Sequence, residues 1–468
     1  MRRWWLIVCA GLLPGCAHYK PEPLGATDTA GKLQARALSD EGLREFLEAN
    51  RPQLAKEWPR KSWDMGGLVL AAFYYHPSLD VARADWELAR AGIKTAGGRP
   101  NPSVSVSGGY DYGIANSFSP WMPTLSFDVP IETAGKRRRR IEQAQHLSDA
   151  ARFNIATAAW EVRSGVRNAL VEFVAARQRV DLLQEQINLQ RQIVERLKVQ
   201  LGAGAIGTAE LTAADVALAK AIAELSSARL QAAASPVHLA NALGVAASAL
   251  DGVAVSFDLS TARLPADLTS AEVRDKALHS RTDILAALAD YAATQSALQL
   301  EIAKQYPDVH LSPAYLWNQG NEGDQEWQLG LTVELPLLNR NQGPIAGAEA
   351  RRKASAARFV ALQAKAIGEI DSAVAVYAAS RDSAAAAQSC VAAKRAQREV
   401  IAAQAKAGAV DRLQLLAAEL EFTTVALAEL DARVQAQQAL GALEDAVQRP
   451  VDMPKAIYEG NRNHTFQP

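Results

Sequence analysis

The sequence predicts a mainly α-helical chain that carries a transmembrane β-barrel, built from one helix–strand–strand–helix unit used twice. Three observations predict it. Short landmarks recur in the same order at an offset of about 205 residues, the mark of an internal duplication. Two very long stretches keep a helical apolar rhythm without a break, and four short segments alternate apolar and polar residues with the period of a strand.

Composition narrows the class. The chain has 468 residues with Lys+Arg 50 against Asp+Glu 51, a net charge of -1 that gives no support to a nucleic-acid binder or an acidic tail. A hydrophobic fraction of 49% excludes wholesale disorder. Three Cys exclude a disulfide scaffold, and seven scattered His beside so few Cys argue against a zinc module. Outside the first fifteen residues nothing approaches the roughly 18 apolar residues of a spanning helix. If this chain crosses a bilayer, it does so as strands.

The N-terminus predicts export. Arg2 and Arg3 precede an apolar run from Trp4 to Leu13, too short to span and suited to a secretory signal over residues 1–15. The run ends in Leu13-Pro14-Gly15-Cys16, which resembles the lipobox of bacterial lipoproteins and makes Cys16 the expected lipidation site. The competing reading is an ordinary signal with an incidental Cys. Ala17 follows where an Asp would signal inner-membrane retention, which favours the outer membrane. A multiply acylated Cys16 is a firm anchor, at roughly 0.8 kcal/mol per buried methylene. Cys390, left without a partner, is expected as a small helix-packing residue. Residues 16–62 form an N-terminal periplasmic segment with Pro21, Pro23 and one short helical stretch near Asp40–Glu48.

The two repeats are 63–250 and 251–450, followed by an irregular polar tail, 451–468. Pro100-Asn101-Pro102-Ser103-Val104 matches Tyr306-Pro307-Asp308-Val309, and Leu125–Ile131 matches Leu331–Leu337. Strands are expected at 103–112, 121–131, 309–317 and 326–337. In the first, Val104, Val106, Tyr110 and Tyr112 alternate with Ser103, Ser105, Ser107 and Asp111; in the last, Trp327, Leu329, Leu331, Val333, Leu335 and Leu337 alternate with Gln328, Thr332 and Glu334. Segments of about 9–11 residues with one apolar face and aromatic ends suit a bilayer-spanning barrel. One such hairpin alone would favour a soluble core; four such strands behind an export signal favour the barrel. Four strands cannot close on themselves, and barrels begin at about 8, so copies of the chain must pool their hairpins.

The helices are expected at 71–98, 136–201 and 208–244 in the first repeat, and at 283–305, 344–407 and 411–447 in the second. From Lys136 to Leu201 the apolar series Ile155, Ala159, Val162, Val166, Ala169, Phe173, Ala176, Val180, Leu183, Ile187, Val194, Leu197 and Leu201 steps by four and three. That period belongs to a left-handed coiled coil about 100 Å long. A second stripe, Leu182, Leu189 and Ile193, predicts a second neighbour. Ala203-Gly204-Ala205-Ile206 and Ala407-Gly408-Ala409-Val410 interrupt the helices at matching places, with the glycines suited to a positive φ. The basic run Lys136–Arg140 is expected as a girdle at the periplasmic leaflet, or as a solvated helix start beside acidic neighbours.

The signal and Cys16, the duplicated plan and the Gly breaks resemble the TolC-like outer-membrane factors of bacterial efflux pumps. Pro336-Leu337-Leu338-Asn339-Arg340-Asn341-Gln342-Gly343 looks like the corresponding motif of the heavy-metal (cobalt–zinc–cadmium) branch, and Ile131-Glu132-Thr133-Ala134-Gly135-Lys136-Arg137 is similar to its first-repeat counterpart. The resemblance implies a homotrimer with a 12-stranded barrel and a 12-helix coiled-coil periplasmic tunnel. It implies an exit duct in the outer membrane that conducts passively, with heavy-metal cations as the cargo the branch suggests. It implies a periplasmic adaptor and an inner-membrane resistance–nodulation–division pump as partners, outer-membrane lipid around the barrel, and no nucleic acid. Adaptors would dock at the periplasmic tip, on Gly204, Ala205, Ile206, Gly408, Ala409 and Val410. Glu210 falls where related channels carry an acidic ring, whereas Gln414 at the matching place argues against a second ring. Asp411 and Arg412 are candidates for a charged latch. A solvated helix face is the competing reading for each. A drug or polypeptide duct shares everything except the Arg-Asn-Gln-Gly motif; a periplasmic coiled-coil scaffold without a pore is the reading from another class. The chain shows no Gly-x-Ser-x-Gly, Walker A or His-Glu-x-x-His motif, and its His residues do not stand at ligand spacing, so neither catalysis, a cofactor nor a resident metal is expected.

Overall fold

The computed structural model describes residues 18–110, 112, 120–260, 271–317 and 325–448. Cys16, the signal and the tail 451–468 lie outside the described residues. The N-terminal segment holds three helices rather than one: α1 (Ala26–Gln34), α2 (Glu41–Asn50) and α3 (Pro52–Ala55). A two-residue strand β1 (Ser62–Trp63) comes next, then α4 (Met65–Tyr75) and α5 (Pro77–Ala96). The single helix expected at 71–98 is therefore two. His76 adopts an extended ψ of 121°, as a residue before Pro prefers, and Pro77 opens the next helix at a position where its missing N–H costs nothing. α4 is apolar on all sides because it is buried on all sides, packed with Trp63, Val166, Leu170, Phe173 and Leu239 in the largest core cluster.

Strands β2 (Ser103–Tyr110) and β3 (Trp121–Ile131) lead into α6 (Lys136–Gly202) and α7 (Thr208–Leu243). After a 3-10 turn, β4 (Ala254–Val255) pairs in parallel with β1, so the chain between the repeats is stitched to the start of the first. The second repeat holds α8 (Ala271–Ser280), α9 (Thr282–Ala303), β5 (Val309–Trp317), β6 (Gln325–Val333), α10 (Gln342–Lys406) and α11 (Arg412–Val447). β6 ends four residues earlier than its alternation suggests. Val333 pairs with Val309, the first residue of β5, so Glu334–Leu337 run past the end of the ladder, and Pro336 has no N–H to offer. Among the described residues no helix is long and apolar enough to cross a membrane.

The elements form a ribbon four units wide. Its sheet is antiparallel in the order β2-β3-β5-β6. Below it, α6 is flanked by α5 then α7 on one side and by α9 then α11 on the other, and α10 lies beyond α9 and α11. The heptad stripe of α6 is buried as the period predicts, with Leu183 and Ile187 against Ala221, Leu225 and Ala228 of α7. Both edges of the ribbon are open. β2 with α5 and α7 forms one, β6 with α10 the other. α10 buries only Ala348, Ala366, Ile370, Ala373, Tyr377 and Val391 along its length and exposes Val360, Val376 and Val400. Cys390 belongs to this exposed edge helix and is itself exposed, so it does not pack in the protomer's own interior.

Between α6 and α11 the core turns ionic. Arg163 and Arg167 both donate to Glu444 Oε2, the latter at 3.0 Å, and all three side chains are at most 1% exposed. Arg167 also bonds Gln437 Oε1 at 3.0 Å, and Gln437 Nε2 donates to the Leu259 carbonyl at 3.2 Å. Gly441 makes this possible: a Cβ there would stand 2.9 Å from Arg167 Nε. Ser164 donates to Asp445, whose carboxyl burial pushes up from its ordinary value. Nearby, Arg281 pairs with Asp283 and Glu369 and donates to the Ala446 carbonyl.

Candidate functional site

The far end of the helical ribbon is formed by the two Gly turns. Gly204 has φ 71° and Gly408 φ 76°. Each sits in the same capping pattern: the Ala205 N–H reaches back to the Gln200 carbonyl at 2.9 Å, and the Ala409 N–H to the Gln404 carbonyl at 2.9 Å. This six-residue closure is what a left-handed residue past a helix end permits. Nothing lies within 4 Å of where a Cβ would stand at either glycine, so backbone angle rather than crowding selects Gly. Ala205 and Ala409 are exposed, and Ile206 and Val410 half-buried.

The residues after the turns diverge between the repeats. Asp411 caps α11, accepting from the Gln414 N–H at 2.7 Å, whereas Gly207 at the matching place of α7 offers no side chain. Asp411 thus has a local helix-capping partner. Arg412 reaches across to Gln192 Oε1 of α6 at 3.2 Å, and the cavity beside it is lined by Arg191, Gln192, Glu195, Arg196, Arg412 and Leu416. Glu210 is exposed in the first turn of α7, where the positive end of the helix dipole favours it, and Gln414 is exposed in the first turn of α11. Turn residues and latch candidates are therefore brought to one end of the molecule.

At the opposite end the sheet separates two faces. In register, Tyr110 meets Trp121, Val106 meets Leu125 and Val104 meets Phe127; Leu125 meets Tyr315 and Ile131 meets Val309; Tyr315 meets Trp327 and Leu311 meets Leu331. Every apolar row thus falls on one face. The other carries Ser105 bonded to Ser126 at 2.7 Å, and Asp128 facing His310 Nδ1 at 3.0 Å. Tyr110 and Trp121 meet edge to face at 5.3 Å, and Tyr315 and Trp327 at 4.8 Å, so aromatic rings gather at the end of the sheet away from the helices.

The two β-to-α turns explain the paired motifs. Gly135 (φ 71°) and Asn341 (φ 60°) each take a left-handed conformation as the N-cap of the long helix that begins there. Asn341 also donates through Nδ2 to the Glu301 carbonyl at 2.7 Å and to Glu301 Oε2 at 2.8 Å, pinning the end of α9. At the first-repeat turn, Asp308 of the second repeat accepts from the Thr133 N–H at 2.9 Å and from Lys136 Nζ at 2.8 Å. Burial opposes the Asp308 charge, but these two donors outweigh it and lower its pKa. Arg140 pairs with Glu132, and Arg139 with Glu142. All five basic residues expected as a lipid girdle have partners within the protomer: Lys136, Arg138, Arg139 and Arg140 pair with carboxylates, and Arg137 donates to the Gly97 carbonyl at 2.7 Å. The buried Arg163–Arg167–Glu444 cluster was missed by sequence reading: charged residues on a helix read as solvated, and their partner lies in the other repeat. Among the described residues no three His, Cys, Asp or Glu side chains gather as a metal site.

This is the architecture of a channel wall rather than of a catalytic cleft: a ribbon of long helices joined to an amphipathic sheet. The chain belongs to the outer membrane efflux protein family, whose profile it matches twice, over residues 71–245 and 273–447. It is 24% identical over 267 residues to the cobalt-zinc-cadmium resistance protein CzcC of Cupriavidus metallidurans, a match that covers 57% of this chain and 61% of that one. In fold it is similar to CusC, with a TM-score of 0.65 at 19% identity over 82% of this chain and 91% of that one. It is equally similar to the outer membrane protein VceC of Vibrio cholerae, with a TM-score of 0.65 at 20% identity over 83% and 97% of the two chains.

Proposed function

We propose that the chain assembles as a homotrimer into the exit duct of a tripartite efflux pump, conducting substrate passively from the periplasm across the outer membrane. The ribbon's two open edges carry this reading. A spanning sheet cannot leave edge N–H and C=O groups in lipid, so β6 of one copy must pair with β2 of the next, and α10 must meet α5 and α7. Three copies of a four-wide ribbon give 12 strands and 12 helices. The apolar sheet face then meets lipid, and the Ser, Asp and His face lines a wet lumen. Such a duct performs no bond chemistry. Its energy comes from an inner-membrane pump of the resistance–nodulation–division class through a periplasmic adaptor docked on Gly204–Ile206 and Gly408–Val410. Heavy-metal cations are the cargo favoured by the similarity to a cobalt-zinc-cadmium resistance protein, and the ions pass hydrated. Cys16 anchors the N-terminus in lipid.

The test is the purified full chain in planar bilayers with its mass measured in detergent. A trimer with steady cation conductance supports the duct; a monomer or a non-conducting rod overturns it. Strand register has its own check. Leu329→Arg should hinder insertion by roughly 2–4 kcal/mol at mid-bilayer, whereas Gln328→Arg, on the lumen side, should be tolerated. Equal effects on both faces would overturn the face assignment. Cargo is read from metal tolerance of a strain in which this chain is the sole exit duct; a drug or polypeptide duct would leave that tolerance unchanged.

A further inference from the structure

The two β-to-α turns differ in one respect that their shared geometry does not require. After β3, Glu132 is spent on Arg140, and Thr133 is tied to Asp308 and Pro307. After β6 the chain presents Leu335, Leu337 and Leu338, exposed at 67%, 72% and 98%; the first two match Val129 and Ile131, the latter itself 48% exposed, so the difference lies at Leu338. Counting back from the matched N-caps Gly135 and Asn341, Leu338 stands where the first repeat has Glu132, and Arg340 where it has Ala134. The Arg340 side chain is exposed and makes no hydrogen bond or ion pair among the described residues. Arg137 and Arg138 are exposed at the same level, at the start of α6.

We infer that the 335–340 turn is a lipid anchor, its leucines seated in the periplasmic leaflet of the outer membrane and Arg340 on phospholipid phosphate. Continuity carries this. Trp327, Leu329, Leu331 and Val333 form the apolar row of β6, and Leu335 and Leu337 extend the same alternation past the last ladder pair at Val333. In the proposed trimer a second copy adds to the β6 edge in the plane of the sheet, so the apolar row of β6 stays turned outward. The aromatic contacts gather at the other end of the sheet, so a different device holds the near end. Charge complementarity supplies the rest: an unpaired guanidinium just below an apolar row matches the phosphate level of a leaflet. Each protomer then carries one anchoring turn, at 335–340, and one whose Glu132 and Thr133 are spent within the protomer.

The inference rests on the duct reading, and the experiment separates the two. A photo-cross-linking residue is placed singly at positions 338, 329 and 105 of the full chain in mixed phosphatidylethanolamine–phosphatidylglycerol vesicles, and adducts are read by mass. Phospholipid adducts at 338 and 329, with none at 105, are expected. Lipid at 329 but only protein adducts or none at 338 overturns the anchor and leaves the duct standing; no lipid at 329 overturns both. Arg340→Gln is then expected to lower the phosphatidylglycerol share of adducts at 338 by about fivefold, the effect of one basic residue near an anionic surface. An unchanged share would remove Arg340 from the site.

Discussion

Helix α11 is held at its two ends by different physics. At residues 437–446 it is locked to α6 by Glu444 between Arg163 and Arg167 and by Asp445 on Ser164, and to the start of α9 by the Ala446 carbonyl on Arg281. At residues 411–416 its polar link to α6 is the exposed contact of Arg412 with Gln192. Opening Glu444 takes a carboxylate away from two guanidinia in a dry interior, which is costly; opening Arg412 merely exchanges Gln192 for water. Two ends of one helix thus differ in the cost of movement. Any rearrangement of the tip on partner binding has its fixed point at the buried network and its freedom at the Gly turns.

The largest expected effect comes from breaking the lock. Glu444→Ala should destabilise the fold by about 3–5 kcal/mol, measured as a loss of folded trimer and a fall in unfolding midpoint. A near-wild-type midpoint would show the network to be hydrated and the comparison void.

Next comes the backbone of the tip. Gly408→Val forces a β-branched residue into a positive φ at about 1–2 kcal/mol, which the long packed helices tolerate. The variant should reach the outer membrane as a trimer and fail to support efflux with its partners, read as resistance in a pump-dependent strain. Full resistance would remove the turn from the docking surface.

Smaller again is the tip's charge. Arg412→Ala should cost no more than about 1 kcal/mol of stability yet raise conductance, because the link is exposed. Glu210→Ala should leave assembly intact and weaken cation preference in bilayers. Unaltered currents in both would place these residues on a merely solvated face.

The last test sharpens the lock through pH. Burial raises the Asp445 pKa, so the folded chain holds this proton more tightly than the unfolded one. Its contribution is therefore largest below the ordinary carboxyl range and fades as pH rises through the folded pKa. Asp445→Asn, neutral throughout, should flatten that part of the stability profile; an identical slope in both proteins would show that Asp445 titrates like an exposed carboxyl.

Much of this was legible in the chain. The strand faces were, because period two leaves no choice of side once one face is apolar, as Leu125, Phe127 and Leu331 show. The α6 stripe was, because Val166, Phe173 and Ile187 can only be shared with a neighbour at that period. The break at His76 was less so: an apolar run continues through it, and Pro is tolerated at a helix start. Of the tip, the glycines were readable from their duplicated setting. The capping role of Asp411 needed the Gln414 N–H placed at 2.7 Å.

By itself, then, the sequence determined the local and periodic features: which segments are helices, which are strands, which face of each is apolar, and where the chain must turn left-handed. These arise from properties that repeat along the chain at fixed spacing. Only the tertiary structure decided which charges are spent. Arg163 finds Glu444 across the two repeats, Lys136 finds Asp308, and Arg340 is left exposed without a described partner. A charge carries no sequence mark of whether it will be buried, because its cost depends on a counter-ion that another part of the fold delivers.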